Sequence, residues 1–481
     1  MPGHKGRGAL LFEKYDITEV AGADALYEAD GIIAESEKNA AALFGSGRTC
    51  YSTEGSSQCI RAMLYLAEQH AARKRYEAAA KKKDQYNEET DENGDRAGER
   101  PLVLAARNVH KTFVYAAALL DFDVIWLRPE SGSDSLCSCP VTPAQLENVL
   151  SSMQRKPAAF YVTSPDYLGG MQDIRGLAEV CHRHGTLLFV DNAHGAYLHF
   201  LSEPLHPLDL GADLCCDSAH KTLPVLTGGA YLQLRKGLPD YFYEGAKQAL
   251  SLFGSTSPSY LTLMSLDLCN RYLAGGYRQR LEKTVLRLDV LRKKVEAYGY
   301  SVKKALPLDR NEKKADLYDF CDPLKIVIKA SGGMTGTGLA EALREQGVEC
   351  EYTDHEFLVL MATPDNTEED ILRVEQALQK IAEKKCLQRS GAVKYEELHT
   401  KVGKPLLNRT ETEQVLSIRE AVMRPHEGLP VQEALGRICA APTVACPPAI
   451  PIVISGERIG PEEIRLLQHY GIPAIEVVAE S

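Results

Sequence analysis

The 481 residues contain no apolar run approaching the ~18 needed to cross a bilayer, and the opening MPGHKGRGAL lacks the apolar stretch of a secretory signal. A cytosolic protein with no membrane partner is expected. An excess of positive charge is also missing: 55 Lys and Arg against 66 Asp and Glu leave a net charge of -11, which argues against a general nucleic-acid binder. That balance favours solubility and would draw in cationic small molecules more readily than anionic ones. The thirteen cysteines lack regular spacing, and the pairs Cys137/Cys139 and Cys215/Cys216 have no second half of a zinc site. Reduced, mostly buried thiols and no metal site are expected. Internal repeats are absent.

What is present is a long chain, 44% hydrophobic, with enough apolar material for about two or three domains. From residue 23 to about 235, helical patterns alternate with short apolar runs, which is how buried parallel strands and their crossover helices read. The predicted strands are Leu102–Ala106, Val124–Leu127, Ala158–Thr163, Thr186–Asp191 and Gly229–Leu234. Between them the segments Lys111–Leu120, Pro143–Met153 and Ile174–His184 predict helices, so helices should cover both faces of one mostly parallel sheet. Ligands of such sheets gather at the carboxyl ends of the strands.

The segment Lys81–Arg100 has almost no apolar residue and cannot bury enough surface to order itself. It reads as a solvated loop extending a helix that begins near Ser56, with a regulatory segment as the other reading. A charged, periodic helix over Arg278–Tyr298 predicts the connector into a smaller α/β unit built from Leu324–Lys329, Gly338–Gln346 and Phe357–Ala362. The run Cys446–Glu457 is proline-rich and predicts an extended, fixed path. The resulting division is an N-terminal arm over 1–22, a large domain over 23–275, a small α/β domain over 276–385 and a C-terminal domain over 386–481.

Four short segments carry chemistry. In DSAHKTL, Lys221 follows a strand and is preceded by Ser218 and His220, which suits a lysine holding pyridoxal 5'-phosphate (PLP) as a Schiff base beside phosphate-binding hydroxyl and imidazole groups. A surface lysine after an ordinary strand is the alternative. In TLLFVDNAHG, Asp191 ends an apolar strand and could pair with a pyridine nitrogen, keeping it protonated so that the ring accepts electrons; capping or metal binding would use the same residue. In RNVHKT, His110 at a helix start could stack on a cofactor ring or simply pack and cap. In STEGSSQ, Gly55 lets a backbone approach closely, and Ser56 and Ser57 present amides and hydroxyls at a helix N-terminus, the arrangement of a phosphate site or of a plain N-cap. Their order along the chain is phosphate loop, stacking residue, nitrogen partner, Schiff-base lysine. It is the order of aspartate-aminotransferase-like, fold type I PLP enzymes.

More narrowly, the chain resembles the ornithine/lysine/arginine decarboxylases through MPGHKGRG, GSSQ, RNVHKT, TSPDYLGGMQDI, DNAHGAY, DSAHKTLPVLTGGAYL, STSPSYL and PPAIPIVISGE, nearly end to end. The resemblance implies that Lys221 binds the coenzyme, Asp191 pairs with the ring nitrogen, His110 covers one ring face and Ala193 lies against the other. It implies phosphate contacts from Ser56, Ser57, Ser218 and His220, and from Ser255 and Thr256 of a neighbouring subunit, hence a homodimer or a multiple of dimers. His194 becomes a substrate-side residue. Glu457, in the terminal proline-glycine-glutamate motif, becomes a candidate grip for the distal cation of a basic substrate, because a charge-assisted pair discriminates against neutral side chains.

The implied reaction is decarboxylation of a basic amino acid, arginine ahead of lysine or ornithine, to agmatine, cadaverine or putrescine, with Lys221 or His194 returning the proton. Transamination or aldol cleavage on the same scaffold, and a catalytically silent relative, are the competing readings. The chain departs from the family pattern at Asn192, where DEAH has an acid, at Ala445 and Cys446, where a tyrosine is commoner, and at Ser455, where a proline stands. It begins at the PGHKG motif, without a preceding helix or receiver-like wing domain, and so resembles the short biosynthetic branch, with a truncated or a native start as the two readings.

Overall fold

The computed structural model describes residues 2–9, 11–85, 100–130, 133, 135–306, 320–331, 333–391, 412–442 and 448–480. Ala445 and Cys446 lie outside the described residues, as does most of the charged segment, residues 86–99; the helix leading into that segment runs Gly55–Gln85.

Seven strands form the main sheet: β1 (Arg48–Ser52), β2 (Leu102–Ala106), β3 (Asp123–Leu127), β4 (Ala159–Thr163), β5 (Leu187–Asp191), β6 (Leu214–Asp217) and β7 (Ala230–Leu234), in the order β1-β7-β6-β5-β4-β2-β3. The central strands are short apolar runs because both faces are covered. The alternation of side chains sorts each strand between two cores. Ala159 and Tyr161 of β4 and Phe189 of β5 face the helices Gly55–Gln85, Lys111–Leu120 and Asp240–Ser251. Phe160, Val162, Leu188 and Val190 face Pro143–Ser152 and Ile174–His184. Each large apolar side chain so buried contributes roughly 1.5–3 kcal/mol.

The expected mostly parallel α/β architecture is what the chain forms, with one correction. β7 pairs antiparallel with β6, and β1 pairs antiparallel with β7. Two reversals restore the original direction, so β1 runs parallel to the central strands and its carboxyl end, carrying Gly55 to Ser57, lands on the same edge as theirs.

The connector helix spans Tyr277–Ala297 and leads into a four-stranded antiparallel sheet of order β10-β11-β9-β8, made of β8 (Ser301–Val302), β9 (Lys325–Lys329), β10 (Tyr352–Thr353) and β11 (Phe357–Met361). This smaller unit grips the loop that follows β4. Asp322 N donates to Gly169 O (2.8 Å), and the fully buried Lys325 donates from Nζ to Asp166 O (2.7 Å). Gly169 has φ +74, and a Cβ there would meet Cys321 Sγ at 2.5 Å, so only glycine permits the approach. At the C-terminal end, β12 (His426–Pro430) pairs with β13 (Ala474–Val478) over an apolar cluster that includes Val431, Ile452, Val453 and Leu467. Ten of the eleven described cysteines are buried.

Candidate active site

A cavity of about 200 Å³ opens at the carboxyl edge of the sheet. It is lined by Gly55, Ser56 and Ser57 after β1, Asn108 and His110 after β2, Thr163, Pro165, Asp166 and Tyr167 at the end of β4, Asp191, Ala193 and His194 at the end of β5, and Ser218, His220 and Lys221 after β6. Ten of the thirteen residues expected from the sequence therefore line one cavity. Ile60, Cys137, Pro448 and Ile450 complete the wall.

Lys221 sits in the single helical turn Ala219–Thr222. Its Nζ is 3.0 Å from His194 Nε2 and lies 5.5 Å above the centre of the Tyr167 ring. Burial pushes its pKa down, opposed by the negative charges of Asp191 and Glu351 and aided by Lys325. A lysine so placed spends more of its time as the neutral amine that condenses with an aldehyde. His194 is buried, and its pKa is held well below the usual imidazole range by desolvation and by the charge of Lys221. Its Nδ1 is buried without a hydrogen-bond partner, and the Tyr167 ring meets it edge-on at 4.7 Å.

Asp191 is buried at the end of β5 and its carboxylate is held from two sides. Tyr161 donates its hydroxyl to Oδ2 at 3.1 Å, and Ala193 N donates to Oδ1 at 3.2 Å. His110 caps the helix Lys111–Leu120 by accepting at Nδ1 from Thr112 N (3.2 Å), and burial pushes its pKa down to about 4, so near neutrality it is an uncharged ring. His220 Nδ1 is 3.1 Å from Gly229 O. A carbonyl only accepts, so that nitrogen carries the proton and Nε2 is left bare.

At the other end of the cavity, Ser218 Oγ donates to Ser56 Oγ (3.0 Å), and Ser57 Oγ meets Thr112 Oγ1 at 3.1 Å. Gly55 adopts φ +72 at the start of the helix Gly55–Gln85, and a Cβ there would meet nothing within 4 Å; the backbone angle, not crowding, is what calls for glycine.

Asn192 donates to Asp217 Oδ1 at 2.6 Å, and Asp217 also receives His206 Nε2 and Gln233 Nε2, each at 3.1 Å. An acid at position 192, as in DEAH, would set two buried carboxylates against each other. His206, Cys215 and Asp217 are the one group among the described residues close enough to share a metal ion, but the oxygens of Asp217 are already engaged, which identifies a hydrogen-bonded network.

Three expected residues lie outside the cavity. Ser255 and Thr256 are exposed. Glu457 is 1% exposed and turns inward: Arg107 Nη2 lies 3.3 Å from its Oε2, Ile454 N donates to the same oxygen at 2.7 Å, and Thr412 Oγ1 donates to Oε1 at 2.7 Å. The structure therefore sets Glu457 apart from the cavity, with both of its carboxylate oxygens already accepting hydrogen bonds within the chain, which does not match the expected grip on a substrate cation. The sequence reading passed over Asp166 and Tyr167, which stand inside the quoted segment TSPDYLGGMQDI at the end of a predicted strand; that position was the available signal.

The donor set fits PLP: hydroxyls and first-turn amides for a phosphate at one end, a secured carboxylate for a pyridinium at the other, an uncharged ring to cover a face and a desolvated lysine on the wall. Fold and site together define a fold type I PLP-dependent enzyme. The chain belongs to the ornithine/lysine/arginine decarboxylase family: residues 96–370 match the Orn/Lys/Arg decarboxylase major domain and residues 397–472 its C-terminal domain. It is thus a PLP-dependent amino-acid decarboxylase. Among curated relatives, an arginine decarboxylase of Bacillus subtilis is 29% identical over 96% of this chain and 88% of its own length. The constitutive lysine decarboxylase of E. coli superposes with a TM-score of 0.73 at 16% identity, covering 100% of this chain and 79% of that one. A serine palmitoyltransferase of Sphingomonas wittichii shares the fold at a TM-score of 0.51 and 12% identity over 74% of this chain and 77% of its own.

Proposed function

We propose that this chain decarboxylates a basic amino acid, arginine ahead of lysine and ornithine, releasing CO2 and the corresponding amine, and that it works as a homodimer or a multiple of dimers. The observation that carries the reading is the Lys221–His194 contact of 3.0 Å beside the secured Asp191, in one cavity with the phosphate-type donors. Bound there, PLP supplies a protonated pyridine ring that takes up the electron pair left when CO2 departs.

The chain's own residues do the rest. Asp191 holds the proton at the pyridine nitrogen, and Tyr161 fixes that carboxylate. His110 covers a ring face as a neutral group, with Ala193 opposite. Ser56, Ser57, Ser218 and His220 take the phosphate. Lys221 and His194, sharing one hydrogen bond, are placed to hold and return the proton that replaces CO2 on the α-carbon.

Two features favour a cationic substrate and a second subunit. Glu351 has no cation paired with it among the described residues, is only partly buried, and its negative charge reaches both Lys221 and His220, so it offers a counter-charge to a substrate's distal ammonium or guanidinium. Ser255 and Thr256 are exposed, as are Leu252 just before them and Met264 and Leu268 one turn apart on the following helix Tyr260–Ala274, side chains free to meet a neighbouring subunit. The relatives named arginine decarboxylase favour arginine.

The test is an amine-product screen of the PLP-loaded protein over arginine, lysine and ornithine, with CO2 and keto acid both measured. CO2 with stoichiometric agmatine is the expected result, and keto-acid formation would replace this reading with transamination. Lys221→Ala should lose turnover together with the visible absorbance that borohydride abolishes in the unmodified protein.

A further inference from the structure

A second, smaller chamber of about 40 Å³ shares Asn108 and Ile450 with the cofactor cavity. Arg107, Asn108, Arg128, Ser133 and Ser135 are among the residues that wall it. That volume holds roughly three waters or one small oxyanion.

Its guanidinium groups are incompletely hydrogen-bonded. Arg107 spends its Nη atoms on Pro451 O (2.9 Å), Ile452 O (3.2 Å) and Glu457, while its buried Nε has no partner. Arg128 donates from Nη2 to Thr412 Oγ1 (3.0 Å), and its buried Nη1 has none. No carboxylate among the described residues pairs with Arg128. Among the described residues Glu457 and the buried Glu463 are the negative charges that reach Arg128, and neither is in direct contact with it, so its guanidinium is left without a bonded anion.

Asn108 adds an acceptor. Its Nδ2 donates to Cys137 O at 2.8 Å, which fixes the amide orientation and leaves Oδ1 buried without a donor. Ser135 Oγ accepts from Cys137 N at 3.1 Å, which fixes this hydroxyl on the chamber wall. Unpaired buried polar atoms each cost about 1–3 kcal/mol, and three on the walls of one chamber call for an occupant. Water could satisfy the atoms but would leave Arg128 without a directly bonded anion. A ligand with a negative charge for the N–H donors and one O–H for Asn108 matches both.

We propose that this chamber binds a singly protonated oxyanion, of which hydrogencarbonate and hydrogenphosphate are the simplest members. Hydrogencarbonate has a source close by: CO2 released in the adjoining cavity and hydrated by one water gives hydrogencarbonate and a proton. Hydrogenphosphate would come from solution. The site is independent of which amino acid the enzyme takes, because none of its walls contributes to the proposed recognition of the substrate's side chain.

The test titrates the PLP-loaded enzyme near pH 8 and constant ionic strength with hydrogencarbonate, inorganic phosphate and nitrate, reading binding by calorimetry and by the carbon resonance of labelled hydrogencarbonate. The proposal expects saturable binding of at least one protonated oxyanion, about tenfold tighter than nitrate, which has the charge but no O–H. Tighter hydrogencarbonate than phosphate would assign the reaction's own product, and the reverse order a solution anion. Arg128→Gln should weaken binding about tenfold or more and Arg128→Lys less. If Arg128→Gln fails to retain the visible cofactor absorbance, Ser135→Ala decides, with an expected weakening of about threefold or more. Equal weak binding of all three anions, or affinity unchanged in a folded variant, would overturn the proposal.

Discussion

Arg107 and Glu457 come from opposite ends of the chain and meet in the interior, Nη2 to Oε2, at 3.3 Å, with 6% and 2% of their side chains exposed. Arg107 is followed directly by Asn108, Val109 and His110, and Lys111 N donates to Ala449 O at 2.8 Å, so the pair clamps the C-terminal segment over the loop that carries the ring-covering histidine. Removing one partner leaves the other charge buried and alone, a loss of about 3–5 kcal/mol. Glu457→Ala should therefore lower thermal stability and PLP retention sharply while leaving the relative Michaelis constants for arginine, lysine and ornithine unchanged. A selective rise for one substrate would return Glu457 to substrate recognition.

Asp191 and Tyr161 give a graded pair. Asp191→Asn keeps the size of the side chain but cannot hold a proton on a pyridine nitrogen, and turnover should fall by at least about a hundredfold. Tyr161→Phe removes one charge-assisted hydrogen bond and should cost about tenfold. Both variants keep Lys221, so both should still show the visible absorbance of bound PLP. Its loss would mean that Asp191 serves retention of the cofactor more than its electronics.

Glu351→Gln tests the counter-charge. An ion-paired hydrogen bond contributes about 1.5–3 kcal/mol, so the Michaelis constant for a basic substrate should rise by about tenfold or more with a smaller change in turnover number. An unchanged constant would assign the distal cation elsewhere.

Protonation of the buried histidines links pH to stability. An unfolded histidine takes up its proton below about 6.5, whereas burial holds folded His110 neutral down to about 4. Between those values the unfolded chain binds more protons, so the cofactor-free protein keeps this stability above about pH 6.5 and loses it as pH falls toward 4, by about 1.4 kcal/mol per pH unit. His110→Asn keeps a good helix cap while removing the titration. Calorimetry near pH 5.5 in buffers of different ionisation enthalpy should find about one proton fewer taken up on unfolding.

The sequence was most informative where one local physical rule governs. Leu102–Ala106 and the helices Lys111–Leu120 and Ile174–His184 form with the bounds their periodicity predicts. The cofactor motifs were legible because strand-end chemistry requires particular residue types. β1 was missed and β6 entered only as an unbounded strand ahead of Lys221: Arg-Thr-Cys-Tyr-Ser and Leu-Cys-Cys-Asp are too short and mixed to stand out as apolar runs. The direction of β7 was not legible either, since an apolar run reads the same whichever way it pairs. Cys137, Pro448 and Ile450 reach the cavity through contacts between segments more than three hundred residues apart, and no local window carries that. Glu457 was read from its motif as a grip on a substrate cation, and its arginine partner, 350 positions away, is a fact of packing that no motif carries.

The Tyr161 hydroxyl reaches Asp191 from the neighbouring strand, in a register that sets Tyr161 opposite Phe189 and Thr163 opposite Asp191. A slip of β4 by a single position would turn Tyr161 toward the opposite helical layer and bring Phe160 or Val162 to its place, leaving the acid without its phenol. The alignment of two neighbouring strands thus carries into the chemistry: a mispaired β4 would leave the partner of the pyridine nitrogen less firmly held, so catalytic competence reports on how the sheet is zippered.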